Sequence, residues 1–68
     1  MTESKKEALA QFHRKNILQA AQTLFAQKSF AGTTMDEIAT LSQYSKATIY
    51  VYFKSKEDVY YAVIETEL

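Results

Sequence analysis

The chain has 68 residues, no Cys, one His and no formal net charge at pH 7. That length fits one small core and no second folded unit, because a chain of about 60 residues buries only roughly 60% of its unfolded surface. The missing thiols exclude disulfide scaffolds, thiolate zinc sites and cysteine nucleophiles, and a single imidazole, His13, has no second His or thiol with which to complete a metal or catalytic site.

No Gly-rich phosphate loop and no nucleophile beside a base can be traced, so catalytic residues, metal ligands and cofactors are all expected to be absent. Apolar runs such as Ile49 to Phe53 and Val59 to Ile64 fall far short of the ~20 residues of a membrane span, and no signal peptide is legible, so no membrane partner is expected. With no Pro and one Gly in a chain that is 47% apolar, the composition points to an all-α fold, since sheets and long loops need turn residues.

Charge is segregated by sign. Residues 1–28 carry Lys5, Lys6, Arg14, Lys15 and Lys28 against Glu3 and Glu7; residues 29–42 carry only Asp36 and Glu37. Lys46, Lys54 and Lys56 then stand without an acid in 43–56, and Glu57, Asp58, Glu65 and Glu67 close the chain. A neutral chain of this kind can present a positive face to a polyanion, although the same charges also suit an ordinary solvated surface.

In chain order, the polar residues 1–8 read as a flexible or frayed segment, with Ser4 and Glu7 at capping-box spacing. From Leu9 the apolar positions step at helical spacing through His13, Ile17, Ala21 and Leu24, with Leu18 and Phe25 beside them, giving a first helix over about 5–28. His13 on that stripe is expected to be a half-buried structural residue. Ser29-Phe30-Ala31-Gly32 supplies the loop. Thr34-Met35-Asp36-Glu37 reads as a capping box opening a second helix over 35–42, which buries Ile38, Ala39 and Leu41.

Ser45 marks the next start. The segment Ala47 to Phe53 has strand-like composition, with Ile49, Val51 and Phe53 alternating with Thr48, Tyr50 and Tyr52. A lone strand finds no partner elsewhere in the chain, so a short helix over 46–52 is expected, with Ile49 and Phe53 buried at a spacing of four. A third box, Ser55 to Asp58, opens a helix over 56–68 that buries Val59, Ala62 and Val63. That helix carries no stop signal before Leu68, so Val59, Val63 and Ile64 are expected to seek partners in a remainder beyond it.

A long helix, a short one, a tight turn, another short one and a fourth make a small helical bundle with a helix-turn-helix. Ala39 is small enough for the short helices to cross closely, with Ile38, Leu41 and Ile49 holding the crossing. Such a unit suits a major groove about 12 Å wide. Lys46, Thr48, Tyr50, Tyr52 and Lys56 would carry donors towards phosphates and base edges. The alternative is a helical protein-interaction module with a Tyr-rich surface from Tyr44, Tyr50 and Tyr52 and no DNA role.

Read together, Arg14, Ile17-Leu18, Ala20-Ala21, Leu24-Phe25, Phe30, Thr33-Thr34-Met35, Ile38-Ala39, Ser45 to Tyr50, Tyr52-Phe53 and Lys56-Glu57 resemble the N-terminal domain of a tetracycline-repressor (TetR) family regulator. The resemblance runs from about Arg14 to Val59, which places the helix-turn-helix domain at 9–59 and the start of a connecting fourth helix at 60–68. It implies a homeodomain-like all-α fold and a sequence-specific DNA-binding domain of a ligand-responsive repressor, reading operator DNA with helix 46–52. It further implies a homodimer in the full-length protein, a small-molecule inducer bound by a C-terminal domain absent from these residues, and a bacterial cytoplasmic, nucleoid-associated location.

Carried over by position, Lys46 and Ala47 match base-edge contacts and Val51 a thymine-methyl contact. Thr34, Ser45, Thr48, Tyr50, Tyr52 and Lys56 match phosphate contacts. The chain departs from the family at Ser29 and Gln43, where Gly is usual, and at Ala47, where Gly is frequent. A left-handed backbone at either of the first two would cost on the order of 1 kcal/mol.

Overall fold

The computed structural model describes residues 5–66, which form four helices: α1 (Lys5–Lys28), α2 (Met35–Ser42), α3 (Lys46–Tyr52) and α4 (Lys56–Thr66). Each of the three later helices begins where a side-chain oxygen satisfies an otherwise orphaned N–H. Thr34 Oγ1 accepts the Glu37 N–H at 3.1 Å, while Glu37 Oε1 accepts the Thr34 N–H at 3.0 Å, closing the capping box. Ser45 Oγ accepts from Thr48 N at 3.1 Å, and Ser55 Oγ from Asp58 N at 3.2 Å. Ser4 lies outside the described residues, as do 67–68 of the expected last helix; of the segment expected to fray, residues 5–8 are exposed and helical.

Apolar burial then decides the packing. α1 lies against α2 and α4, and α2 against α3, around Ile17, Ala21, Ile38, Ile49, Val59 and Phe53. Ile49 and Phe53 are both buried, so the strand-like stretch is helical because one side of it closes the core. Lone β-propensity measures fit to a sheet surface, and no sheet exists here among the described residues.

Three expectations about burial are corrected. Leu9 is 55% exposed, because the first turns of α1 extend past the short helices that would cover them. Leu41 is 48% exposed: the buried side of α2 is Met35, Ile38 and Ala39, and at about 100° per residue Leu41 falls on a flank. The crossing with α3 is therefore held by Ile38, Ala39 and Ile49. Val59 and Val63 already find partners in the core, leaving only Ile64 of that trio exposed.

Both departures from glycine sit in left-handed backbone, Ser29 at φ 69° and Gln43 at φ 67°. Gln43 ends α2 with its N–H aimed at Ala39 and Thr40 carbonyls, a C-cap that normally favours Gly. Ser29 offsets part of its strain, since its hydroxyl accepts the Gly32 N–H at 3.3 Å and its carbonyl accepts the hydroxyl of buried Thr33 at 2.8 Å. Gly32 itself has no positive φ; it is needed for space, because a Cβ there would stand 2.4 Å from the Lys28 carbonyl oxygen.

Relieving a left-handed non-Gly residue recovers about 1–2 kcal/mol, less about 0.4–1 kcal/mol for the freer unfolded chain. Gln43→Gly is thus expected to stabilise the domain by about 0.5–1 kcal/mol in urea unfolding, and Ser29→Gly by less, since it forfeits the hydroxyl bond. Gly32→Ala should destabilise by about 1–3 kcal/mol, as overpacking against backbone does. A Ser29→Gly gain larger than that of Gln43→Gly would contradict this assignment of strain.

Candidate nucleic-acid interface

The sequence of α3 divides it into two sides. Lys46, Ala47, Tyr50 and Val51 are exposed, Ile49 and Phe53 are buried, and Thr48 and Tyr52 are half-buried on the flank leading into the core. At about 100° per residue the four exposed residues share one continuous arc. Of the two large apolar side chains among them, Val51 is the more exposed, at 77% against 44% for Tyr50. All three residues expected to meet base edges therefore lie on the outward arc of α3. Those expected to meet phosphates are distributed around it.

Thr34 is exposed at the start of α2, Ser45 and Tyr50 are exposed on the turn and on α3, and Thr48, Tyr52 and Lys56 are partly covered. Several of these groups already have partners. Thr34 and Ser45 are N-caps, as expected, and Ser45 Oγ also donates to Thr48 Oγ1 at 2.9 Å. A hydroxyl has one rotatable proton, so the Thr34 cap can still donate to an outside acceptor, while Ser45 would first have to release Thr48.

Lys56 is more committed than the sequence suggests. Its Nζ donates to the Phe30 carbonyl at 2.7 Å and lies 4.2 Å from the centre of the Phe30 ring, tying the start of α4 to the loop after α1. One N–H used on a carbonyl leaves two others.

The turn is braced from behind. Tyr44, between α2 and α3, is half-buried against the core, and its hydroxyl lies 2.6 Å from His13 Nδ1 and accepts from Asn16 Nδ2 at 3.2 Å. The His13 and Tyr44 rings meet edge to face at 5.2 Å. His13 is thus the half-buried structural residue expected, with a specific partner that sequence spacing could not reveal. The supposed tyrosine patch is not continuous: Tyr44 and Tyr52 are partly buried with their rings packed against the core, while Tyr50 is exposed. Tyr60, unassigned by sequence, packs on Phe25 and Phe30 at 5.8 and 5.1 Å. Arg14 places its guanidinium 5.2 Å from the Phe53 ring, joining α1 to the end of α3.

Two consecutive acids open α2 and diverge. Glu37 pairs with Lys28 at the end of α1, while Asp36 Oδ1 stands 3.1 Å from Lys46 Nζ on α3. The Lys28 ammonium, together with the Thr34 N–H, holds the Glu37 carboxyl below its usual value of 4.5. A carboxyl with a lowered folded pKa stabilises the fold above its unfolded pKa, and that contribution is lost as pH falls through the folded value.

Unfolding midpoints measured in pH steps below about 4.5 should accordingly fall more steeply for the parent chain than for Glu37→Gln, with the two curves running parallel near neutrality. Parallel curves on the acid side would show that the pair is not formed in solution.

A family model described as bacterial regulatory proteins, tetR family, matches residues 17–63, the span that contains α2, α3 and the caps and ion pairs around them. The chain is 42% identical over 52 residues to the uncharacterized HTH-type transcriptional regulator YfiR of Bacillus subtilis, covering 76% of this chain and 25% of that protein. It is 40% identical over 52 residues to the HTH-type transcriptional repressor NicS of Pseudomonas putida, covering 76% and 24%. The crystal structure of a HlyIIR mutant protein with residues 170–185 substituted by alanine superposes with a TM-score of 0.79 at 34% identity, over 82% of this chain and 32% of that one. The chain therefore spans about a quarter to a third of the length of these relatives.

Proposed function

This chain belongs to the tetR family of bacterial regulatory proteins, and from that premise we propose that it reads an operator by laying the outward arc of α3 in the major groove. The observation that carries this reading is the arc itself: Lys46, Ala47, Tyr50 and Val51 exposed together on a short helix anchored from beneath by Ile49 and Phe53. Lys46 offers N–H donors to guanine N7 and O6, and Ala47 and Val51 offer methyl groups to a thymine methyl. Around the arc, Thr34, Ser45, Thr48, Tyr50, Tyr52 and Lys56 serve the phosphates on either side and fix the register of the helix.

Because the relatives are about three to four times as long, we further propose that the whole protein is a repressor that binds DNA as a homodimer. A domain outside these 68 residues would supply the dimer contact and the small-molecule inducer site. A bacterial cytoplasmic, nucleoid-associated location follows from that role. No helix of the described residues is long and apolar enough to cross a membrane.

Base reading and phosphate anchoring separate by mutation. Lys46→Ala should cost about 1–3 kcal/mol on the preferred duplex and relax base preference at one position. Lys56→Ala should weaken all duplexes alike and reduce the salt slope by about one phosphate; it should also lower the melting temperature, since the tie to Phe30 goes with it. Equal losses on preferred and random duplexes for Lys46→Ala would reassign that residue to the backbone.

A single reading domain should bind in the non-specific range of about 10⁻⁴ to 10⁻⁶ M at physiological salt, and a dimer should raise avidity by roughly 10²–10⁴. Titration of residues 1–68 on a palindromic duplex checks this, and tight cooperative binding by those residues alone would place dimerisation within them.

A further inference from the structure

Asp36, at the second position of α2, meets Lys46, at the first of α3, across the turn, with Nζ 3.1 Å from Oδ1 and both side chains more than half exposed. The reading above gives Lys46 a base edge and leaves Asp36 no part in recognition. Glu37 is turned towards α1 by Lys28 and by the Thr34 N–H, so Asp36 stands alone among the first-turn acids of α2 in facing the reading helix. A carboxylate there raises the energy of every phosphate that comes near.

We infer that Asp36 is a specificity-determining residue of this face, holding the Lys46 ammonium where a guanine edge can take it and a phosphate cannot. The inference rests on the DNA-reading function proposed above. An ammonium has three N–H donors, so one held by ion pairing with Asp36 can still meet the neighbouring N7 and O6 acceptors of guanine. The pair is neutral as a unit and so is matched to a neutral acceptor edge. A phosphate monoanion taking the same ammonium would approach the carboxylate within a few ångströms, where like charges repel. An unpaired lysine also strengthens binding to all sequences by releasing a counterion from the DNA. Lys46 carries its counter-charge in the protein, so Asp36 suppresses random binding more than specific binding.

The test is a four-protein cycle of the chain, Asp36→Asn, Lys46→Ala and the double variant. The probes are a labelled duplex recovered by the chain from a random-sequence library and a scrambled duplex of the same composition. Anisotropy titrations run from about 50 to 200 mM KCl, a range over which one phosphate contact is resolved.

Asp36→Asn is expected to bind the scrambled duplex about two- to fivefold more tightly and to steepen its log–log salt slope by about 0.9. The recovered duplex should change less than about twofold, so discrimination falls. In the Lys46→Ala background the same substitution removes only the carboxylate's own repulsion, so both probes should tighten equally and discrimination should not change. Equal tightening on both probes with Lys46 present, an unchanged slope, or a loss of discrimination that persists without Lys46 would show a bulk surface charge and overturn the inference. Asp36→Ser, which keeps a polar residue in the first turn of α2, replaces Asp36→Asn should the latter melt below the assay temperature. A parent chain that binds neither probe at the lowest salt removes the DNA reading itself, an outcome distinct from binding that Asp36 does not affect.

Discussion

The turn from α2 to α3 is built on a residue in left-handed backbone, and the orientation of the outward arc depends on it. At Gln43 the chain reverses within one residue, so that its N–H and that of Tyr44 return to the last carbonyls of α2, at 3.2 Å to Thr40 and 3.1 Å to Ala39. Those bonds stop α2, and Ser45 immediately caps α3. With no slack between one cap and the next, the crossing of the two short helices is fixed by Ala39 and by the burial of Ile38 against Ile49. A non-Gly residue in this conformation is strained. The strain is tolerated because the hydroxyl of Tyr44 is held by His13 and Asn16 from the long helix behind.

That brace makes α1 more than a wall of the core. It carries Ile17, Ala21 and Leu24 into the interior, sends Lys28 to the start of α2, and reaches the end of α3 through Arg14. The short helices, at eight and seven residues, are below the length at which a helix stands alone in water. Their order comes from these tethers and from apolar burial. The exposed side of α3 thereby takes no part in the core, and a face outside the core can vary with the sequence it is to read.

Electrostatics at the interface are arranged in pairs more than in a uniform positive field. Lys28 meets Glu37, Lys46 meets Asp36, and Lys56 meets a carbonyl and a ring. The chain has no net charge, and these three lysines are placed by neighbours before any partner arrives. For a domain whose task is to distinguish one duplex from another, local placement of charge serves better than total charge, since the latter attracts all DNA alike.

The sequence by itself determined the four helices and their order, because caps and apolar spacing act within a few residues. Thr34 with Glu37, Ser45 with Thr48, and Ser55 with Asp58 are local hydrogen bonds written in residue type and separation. Ile49 and Phe53 made α3 legible as a helix despite its β-branched content, and the ordered residues from Arg14 to Val59 made the family legible. The tertiary structure decided what depends on residues far apart in the chain. It showed Leu9 and Leu41 in solvent and Val59 and Val63 already satisfied, because burial depends on which neighbour reaches a given face and where that neighbour ends. It joined His13 to Tyr44, Lys56 to Phe30 and Asp36 to Lys46, pairings with no signature in spacing. Whether Ser29 and Gln43 were strained was equally beyond the sequence, since the sign of a backbone angle is set by where the next helix must begin.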